Sequence, residues 1–103
     1  MSEFSEFYAK STPDIQAGIR EKVVAILRSG ICTVVFTKKD GTQRTMRCTL
    51  NDKYLPAVDR HSEQQRSAEA LSVWELEIDS WRSFRFDRLQ SVQLEAWKTM
   101  HQF

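Results

Sequence analysis

The chain of 103 residues is poor in the residues that most often announce a chemistry. It holds two cysteines and two histidines. Cys32 and Cys48 make no C-x-x-C pair, and His61 and His101 lie far apart, each without a ligand-like neighbour at useful spacing. Neither a disulfide scaffold nor a metal site is expected, and no cofactor is implied. With three glycines the chain has no Gly-rich phosphate loop. No serine or cysteine lies near a plausible histidine base, and the carboxylates pair more naturally with arginines than with each other, so no enzyme is expected. No apolar run reaches membrane-spanning length, and the N-terminus starts acidic (Glu3, Glu6) without a basic segment leading into an apolar one. These absences place the chain in a cytoplasm, away from membranes, with reduced thiols. An excess of one charge is missing too: 15 Lys and Arg face 14 Asp and Glu, a net charge of +1. Wrapping of nucleic acid through bulk charge is thereby excluded, and any anion-binding surface must be local.

What is present is concentrated in Trp74 to Leu89, which holds most of the aromatic mass and three closely spaced arginines. Trp74, Leu76 and Ile78 alternate with Glu75 and Glu77, the period of a strand with one buried face. Asp79 and Ser80 read as the turn, and Phe84 and Phe86 alternate with Ser83, Arg85 and Asp87 on a second strand. Trp81 is out of phase with the two phenylalanines and is expected to be exposed.

Earlier in the chain, Met1 to Lys10 carries Phe4, Phe7 and Tyr8 in a polar setting, either a short amphipathic turn docked on the domain or a frayed end. Ser11-Thr12-Pro13-Asp14 starts a helix, with a hydroxyl cap, a first-turn proline and an acid at the positive end of the dipole. The helix should run from Pro13 to Ser29 and end at Gly30, with Ile15, Ile19, Val23 and Ile26 as its buried stripe. From Ile31 the period is two. Cys32, Val34 and Phe36 line one strand face, and Met46, Cys48 and Leu50 line that of the returning strand. A three-residue loop of Lys39, Asp40 and Gly41 sets Lys38 opposite Thr42 and pairs Phe36 with Arg44, Val34 with Met46 and Cys32 with Cys48. A two-residue loop would slip the pairing by one and set apolar side chains against polar ones. Leu89, Val92, Leu94 and Trp97 mark a fifth strand after a tight connection at Asp87-Arg88.

One domain follows: an N-terminal tail over 1–12, then a mainly β (α+β) domain over 13–103, a small SH3-like barrel of about five strands with an N-terminal helix. Residues 51–70 form a long loop expected to be mobile, although Tyr54, Leu55, Pro56 and Val58 can tuck back onto the barrel. Unpaired strand edges and the apolar terminal residues Phe4, Phe7, Tyr8, Trp97, Met100 and Phe103 leave monomer or homodimer open, with the dimer burying more.

Val34 to Thr42 with Arg44 to Leu50, then Val73-Trp74-Glu75-Leu76 and Trp81 to Asp87, resemble a family of small bacteriophage proteins described as SH3 β-barrel fold-containing. The second motif is also similar to the core of WYL domains, where a Trp-x-Leu strand precedes an Arg-x-Phe-Arg-x-Asp-Arg segment. The resemblance implies nucleotide or nucleic-acid sensing through arginines of that segment, which fall here on Arg82, Arg85 and Arg88. Glu75 departs from the pattern, standing where WYL domains have tyrosine.

The resemblance and the missing catalytic set together imply a phage-encoded, non-enzymatic protein. It would act in the host cytoplasm by binding a host bacterial protein, in host takeover or counter-defence. Its interaction surface would include Lys38, Lys39, Tyr54 and Trp81. The alternative is nucleotide or nucleic-acid binding through Arg47, Arg82, Arg85 and Arg88, as a sponge for a cyclic nucleotide signal or as a strand binder, because the planar guanidinium fork suits phosphate. The same arginines, together with Arg44, also read as solvated outer-face residues paired with Glu75, Glu77 and Asp87. Cys32 and Cys48 read as small core residues. Limited proteolysis should cut first between Asp59 and Ser67; a chain resistant there would show that this stretch is held by the fold or by a second subunit.

Overall fold

A computed structural model describes residues 3–56 and 69–95. Two helices, α1 (Glu3–Lys10) and α2 (Pro13–Ser29), precede strands β1 (Ile31–Thr37), β2 (Gln43–Thr49), β3 (Ala70–Glu75), β4 (Ser80–Arg85) and β5 (Leu89–Leu94); a 3-10 turn at Phe86–Arg88 joins the last two. The strands form one antiparallel sheet in the order β4-β3-β2-β1-β5. This is the expected small SH3-like barrel with an N-terminal helix, left open because the 3-10 turn rather than a ladder connects its two edge strands.

The β1–β2 hairpin has the expected register, with Cys32 opposite Cys48, Val34 opposite Met46 and Phe36 opposite Arg44. Its loop closes through Lys38 N–H to the Thr42 carbonyl (2.8 Å) and Gly41 N–H to the Lys38 carbonyl (3.0 Å). Gly41 supplies the left-handed position at φ 91° that a side chain would strain. β1 alternates buried and half-buried residues throughout, and the inward Cys32, Val34 and Phe36 meet Met46, Cys48, Leu71, Val73, Phe84, Phe86 and Leu89 in the core. Each such side chain, taken wholly out of water, contributes roughly 1.5–3 kcal/mol.

β3 differs from expectation. It starts at Ala70, its inward residues are Leu71, Val73 and Glu75, and Trp74 lies on the other phase, half-buried. The turn occupies Leu76 to Asp79, with Asp79 at φ 48°, so Glu75 faces Ser80 and Trp74 faces Trp81. Leu76 is only half-buried and Ile78 is 44% exposed. The alternation of Trp74, Leu76 and Ile78 with two glutamates imitates a strand face, but a strand ending at Glu75 inverts the phase. Trp81 is accordingly not exposed: it is half-buried, its ring meets Trp74 edge-on at 5.5 Å, and its indole N–H is enclosed without a hydrogen-bond partner.

α2 has the predicted ends, with Thr12 accepting from the Ile15 amide (3.4 Å) and Pro13 in the first turn. Its buried line is Val23 and Leu27; Ile19 and Ile26 only flank the core, and Ile15 is 49% exposed. The stripe is rotated because the C-terminal half of α2 seats on the sheet. There the Thr49 hydroxyl donates to the Leu27 (3.2 Å) and Gly30 (2.7 Å) carbonyls, the Leu50 amide to Leu27 (3.0 Å) and the Asn51 side chain to Arg28 (2.8 Å), satisfying acceptors that a helix end leaves orphaned. The N-terminal segment is a docked helix rather than a tail. Tyr8 is 1% exposed and stacks on Phe86 at 6.1 Å, its hydroxyl accepts from Arg20 (2.9 Å), and Ser5 donates to the Leu89 carbonyl (2.9 Å). Leu55 tucks back as expected, at 8% exposure. Val58, the expected proteolytic site at Asp59 to Ser67, and Trp97, Met100 and Phe103 lie outside the described residues.

Cys32 and Cys48 are wholly buried and free. Burial pushes the Cys32 thiol up to about 11, helped by the charge of Glu95, and burial with the neighbouring thiol pushes Cys48 up to about 12. In the unfolded chain a thiol ionises near ~8.5. The thiols' contribution to stability is therefore complete below that pH and is lost as pH rises toward 11 and 12. Urea unfolding at pH 8 and pH 10.5 should show a loss on the order of 2 kcal/mol per thiol that a Cys32→Ala/Cys48→Ala variant lacks. Thiol labelling should be slow in the native protein and fast in urea.

Candidate anion-binding groove

The tip of the β1–β2 hairpin is a rigid platform for two lysines. Asp40 accepts from both the amide (3.0 Å) and the hydroxyl (2.6 Å) of Thr42, and these bonds hold its carboxyl below the usual range. Lys38 and Lys39 stand beside that turn. Opposite them β4 ends at Arg85, and the 3-10 turn carries Arg88, whose Nη1 donates to the Lys38 carbonyl at 3.1 Å and so ties the two walls together.

Between the walls lies an open groove of about 390 Å³. Phe36 and Phe84 form its floor, their rings 5.9 Å apart, and Thr37, Ala70 and Ser83 complete the lining. Lys38, Lys39, Arg44, Arg85 and Arg88 surround it. Arg85 forks onto Asp87 (3.0 and 3.1 Å), which raises the guanidinium's affinity for its proton. Arg44 reaches out from inside the barrel, its Nη2 donating to both oxygens of Glu75 at 2.8 and 2.7 Å. Among the described residues, Lys38, Lys39 and Arg88 make no ion pair. Positive charge thus converges here on a chain whose net charge is only +1. The arrangement offers ammonium and guanidinium donors over an apolar floor, a chemistry complementary to an anion.

The expected arginine set divides. Arg85 and Arg88 line the groove; Arg47 and Arg82 do not. Arg47 is bound to Glu95 (Nε to Oε2, 2.7 Å), a contact that raises its affinity for the proton, and Arg82 turns its Nη1 to the Trp81 carbonyl at 2.9 Å. The expected interaction surface divides as well. Lys38 and Lys39 belong to the groove, while Trp81 stands against Trp74. Tyr54 lines a separate depression with Gly30, Asn51 and Lys53, at the other end of β1. Arg44 joins the groove although it stood outside the expected anion set. Its signal was in the register: a charged residue in phase with the inward Met46 and Cys48. Among the described residues no group of three or more His, Cys, Asp or Glu can hold a metal, and no helix is long and apolar enough to cross a membrane.

The two arginine pairs on β2 should differ in energetic weight. Arg44→Ala leaves the buried Glu75 carboxylate without its partner and is expected to cost about 3 kcal/mol. Arg47→Ala breaks an exposed pair and should cost less than about 1 kcal/mol. Urea unfolding followed by tryptophan fluorescence measures both; equal costs would show that the Glu75 site is open to water.

The family described as WYL_2, Sm-like SH3 beta-barrel fold, matches residues 20–90. The chain is also 34% identical over 87 residues to an uncharacterized 11.5 kDa protein of the Gp31-cd intergenic region of Enterobacteria phage T4, covering 81% of this chain and 85% of that relative. No solved structure matches it. The match runs from the middle of α2 through β1 to β4 into the start of β5, so it takes in both walls of the groove, and the chain belongs to the WYL_2 family as a small phage protein with the Sm-like SH3 β-barrel fold.

Proposed function

We propose that the protein is a non-enzymatic binding protein of the phage-infected cell, and that its groove takes a nucleotide or the end of a nucleic-acid strand. The observation that carries this is the convergence of Lys38, Lys39, Arg44, Arg85 and Arg88, from two strands, a hairpin loop and a turn, around the Phe36–Phe84 floor. A phosphate group gains most from charge-assisted donors that approach from several sides, and the apolar floor suits the flat part of the same ligand. Local charge on a near-neutral chain favours a small anion over a long polyanion, whose other phosphates would find no cations beyond the groove. A sponge for a nucleotide signal in the host cytoplasm fits this reading.

A second reading changes the occupant to an acidic segment of a host protein, in keeping with host takeover or counter-defence. The observation that favours it is β4. It ends the sheet beside the groove, so among the described residues its outer edge has no strand partner and could accept an extended peptide.

Calorimetric titration with AMP, a cyclic mononucleotide and a short single-stranded oligonucleotide, at low and high salt, tests the first reading. Binding at low salt that weakens with salt is expected. It should fall at least about tenfold in Arg85→Ala or Arg88→Ala and stay unchanged in Arg82→Ala. Absence of binding by all three probes at low salt would remove the nucleotide reading. Recovery of a stoichiometric host protein from lysate, lost in Lys38→Glu/Lys39→Glu, would then support the second.

A further inference from the structure

We infer that Glu75 is a positioning residue of the groove: from inside the barrel it holds the Arg44 guanidinium at the groove's edge, with the remaining donors turned to the ligand. The inference rests on the anion-binding reading of the groove.

The inward face of β3 reads Leu71, Val73, Glu75, and that of β2 reads Arg44, Met46, Cys48. Each strand therefore carries one charged residue where its pattern provides for an apolar one, and the two meet. Glu75 is 2% exposed, and both its oxygens are engaged by a single Arg44 nitrogen. A buried ion pair is a poor source of stability, since well-packed apolar residues of similar volume serve a core as well or better. Stability alone therefore does not account for this pair, whereas a cation held at the groove does. Arg44 is long and flexible, and without a carboxylate beneath it its guanidinium would sweep through solvent. Held by Nη2 alone, it keeps Nε and Nη1 without another partner among the described residues, and its side chain is 33% exposed where it lines the groove. One edge of the fork is fixed and the other is presented, so the entropy of ordering the cation is spent on folding rather than on binding. The carboxylate where WYL domains have tyrosine is therefore compatible with an anion site, because its charge is taken up by the residue it positions.

Glu75→Gln separates positioning from simple electrostatics, because the two give opposite signs. Removing a negative charge beside a cationic groove should by itself tighten AMP binding; removing the anchor of Arg44 should weaken it. In variants whose thermal unfolding stays cooperative, we expect AMP affinity to fall about fivefold or more in Glu75→Gln and to be unchanged in Glu77→Gln, which removes the same charge from the exposed turn. We also expect the Arg44 Nε–H resonance, sharp and AMP-responsive in the parent, to collapse into the solvent-averaged arginine signal. Equal or tighter AMP binding by folded Glu75→Gln overturns the inference and leaves the groove reading intact. Failure of the parent to bind AMP, the cyclic mononucleotide and the oligonucleotide alike overturns both. Should Glu75→Gln not fold, Arg44→Lys decides. It retains the charge and the pairing with Glu75 but has no second edge to present, so unchanged AMP affinity in that variant overturns the inference.

Discussion

The pairing of β1 with β2 is the constraint on which the rest depends. Among the described residues β1 is paired along nearly its whole length on both sides, with β2 and with β5, and its register decides which side chains of the first half of the chain point inward. That register is set by a loop of three residues whose last member, Gly41, takes a backbone conformation that a side chain would strain. A slip by one residue would turn Met46 and Cys48 outward and carry Arg44 away from Glu75. Core and groove rest on the same few hydrogen bonds at the hairpin tip.

The helices complete what an open five-stranded sheet leaves unfinished. The end of β2 caps α2, because Thr49 and Leu50 serve the last helical carbonyls, and the core reaches across that junction through Leu27. α1 closes another gap by setting Tyr8 on Phe86, the first residue of the 3-10 turn that carries Arg88. The second wall of the groove is thus braced from behind by the N-terminal segment. An unbraced wall would present its cations over a range of spacings.

Charge in this molecule is arranged more by depth than by amount. Arg47 and Glu95 meet in partly exposed positions, where attraction is screened and weakly stabilising. Arg44 and Glu75 meet where water is scarce, so neither tolerates loss of the other, and the pair delivers a fixed cation to a groove that also holds Lys38, Lys39 and Arg88. A net charge near zero hides this gradient completely.

Local physics was legible in the residues alone. The ends of α2 follow from a capping threonine, a first-turn proline and a terminal glycine, and the β1–β2 register follows from loop length and a period of two. The barrel class follows from counting strands and the spans between them. What the residues could not decide are relations between elements distant in sequence. The phase of β3 is hidden in the sequence because glutamates flanking Leu76 look like a wet face, and only the arrival of Arg44 from β2 makes a buried Glu75 possible. The stripe of α2 holds at Ile19, Val23 and Ile26 but gives way at Ile15 and gains Leu27, because the sheet, not the helix, selects which part of the helix is covered. The groove, too, is a tertiary object. Lys38 and Arg88 are separated by 50 positions in the chain and joined by one hydrogen bond, while Arg82 and Arg85, neighbours on one strand, face different surroundings. A family motif groups Arg82, Arg85 and Arg88 in the sequence; the tertiary structure regroups Arg85 and Arg88 with Lys38, Lys39 and Arg44.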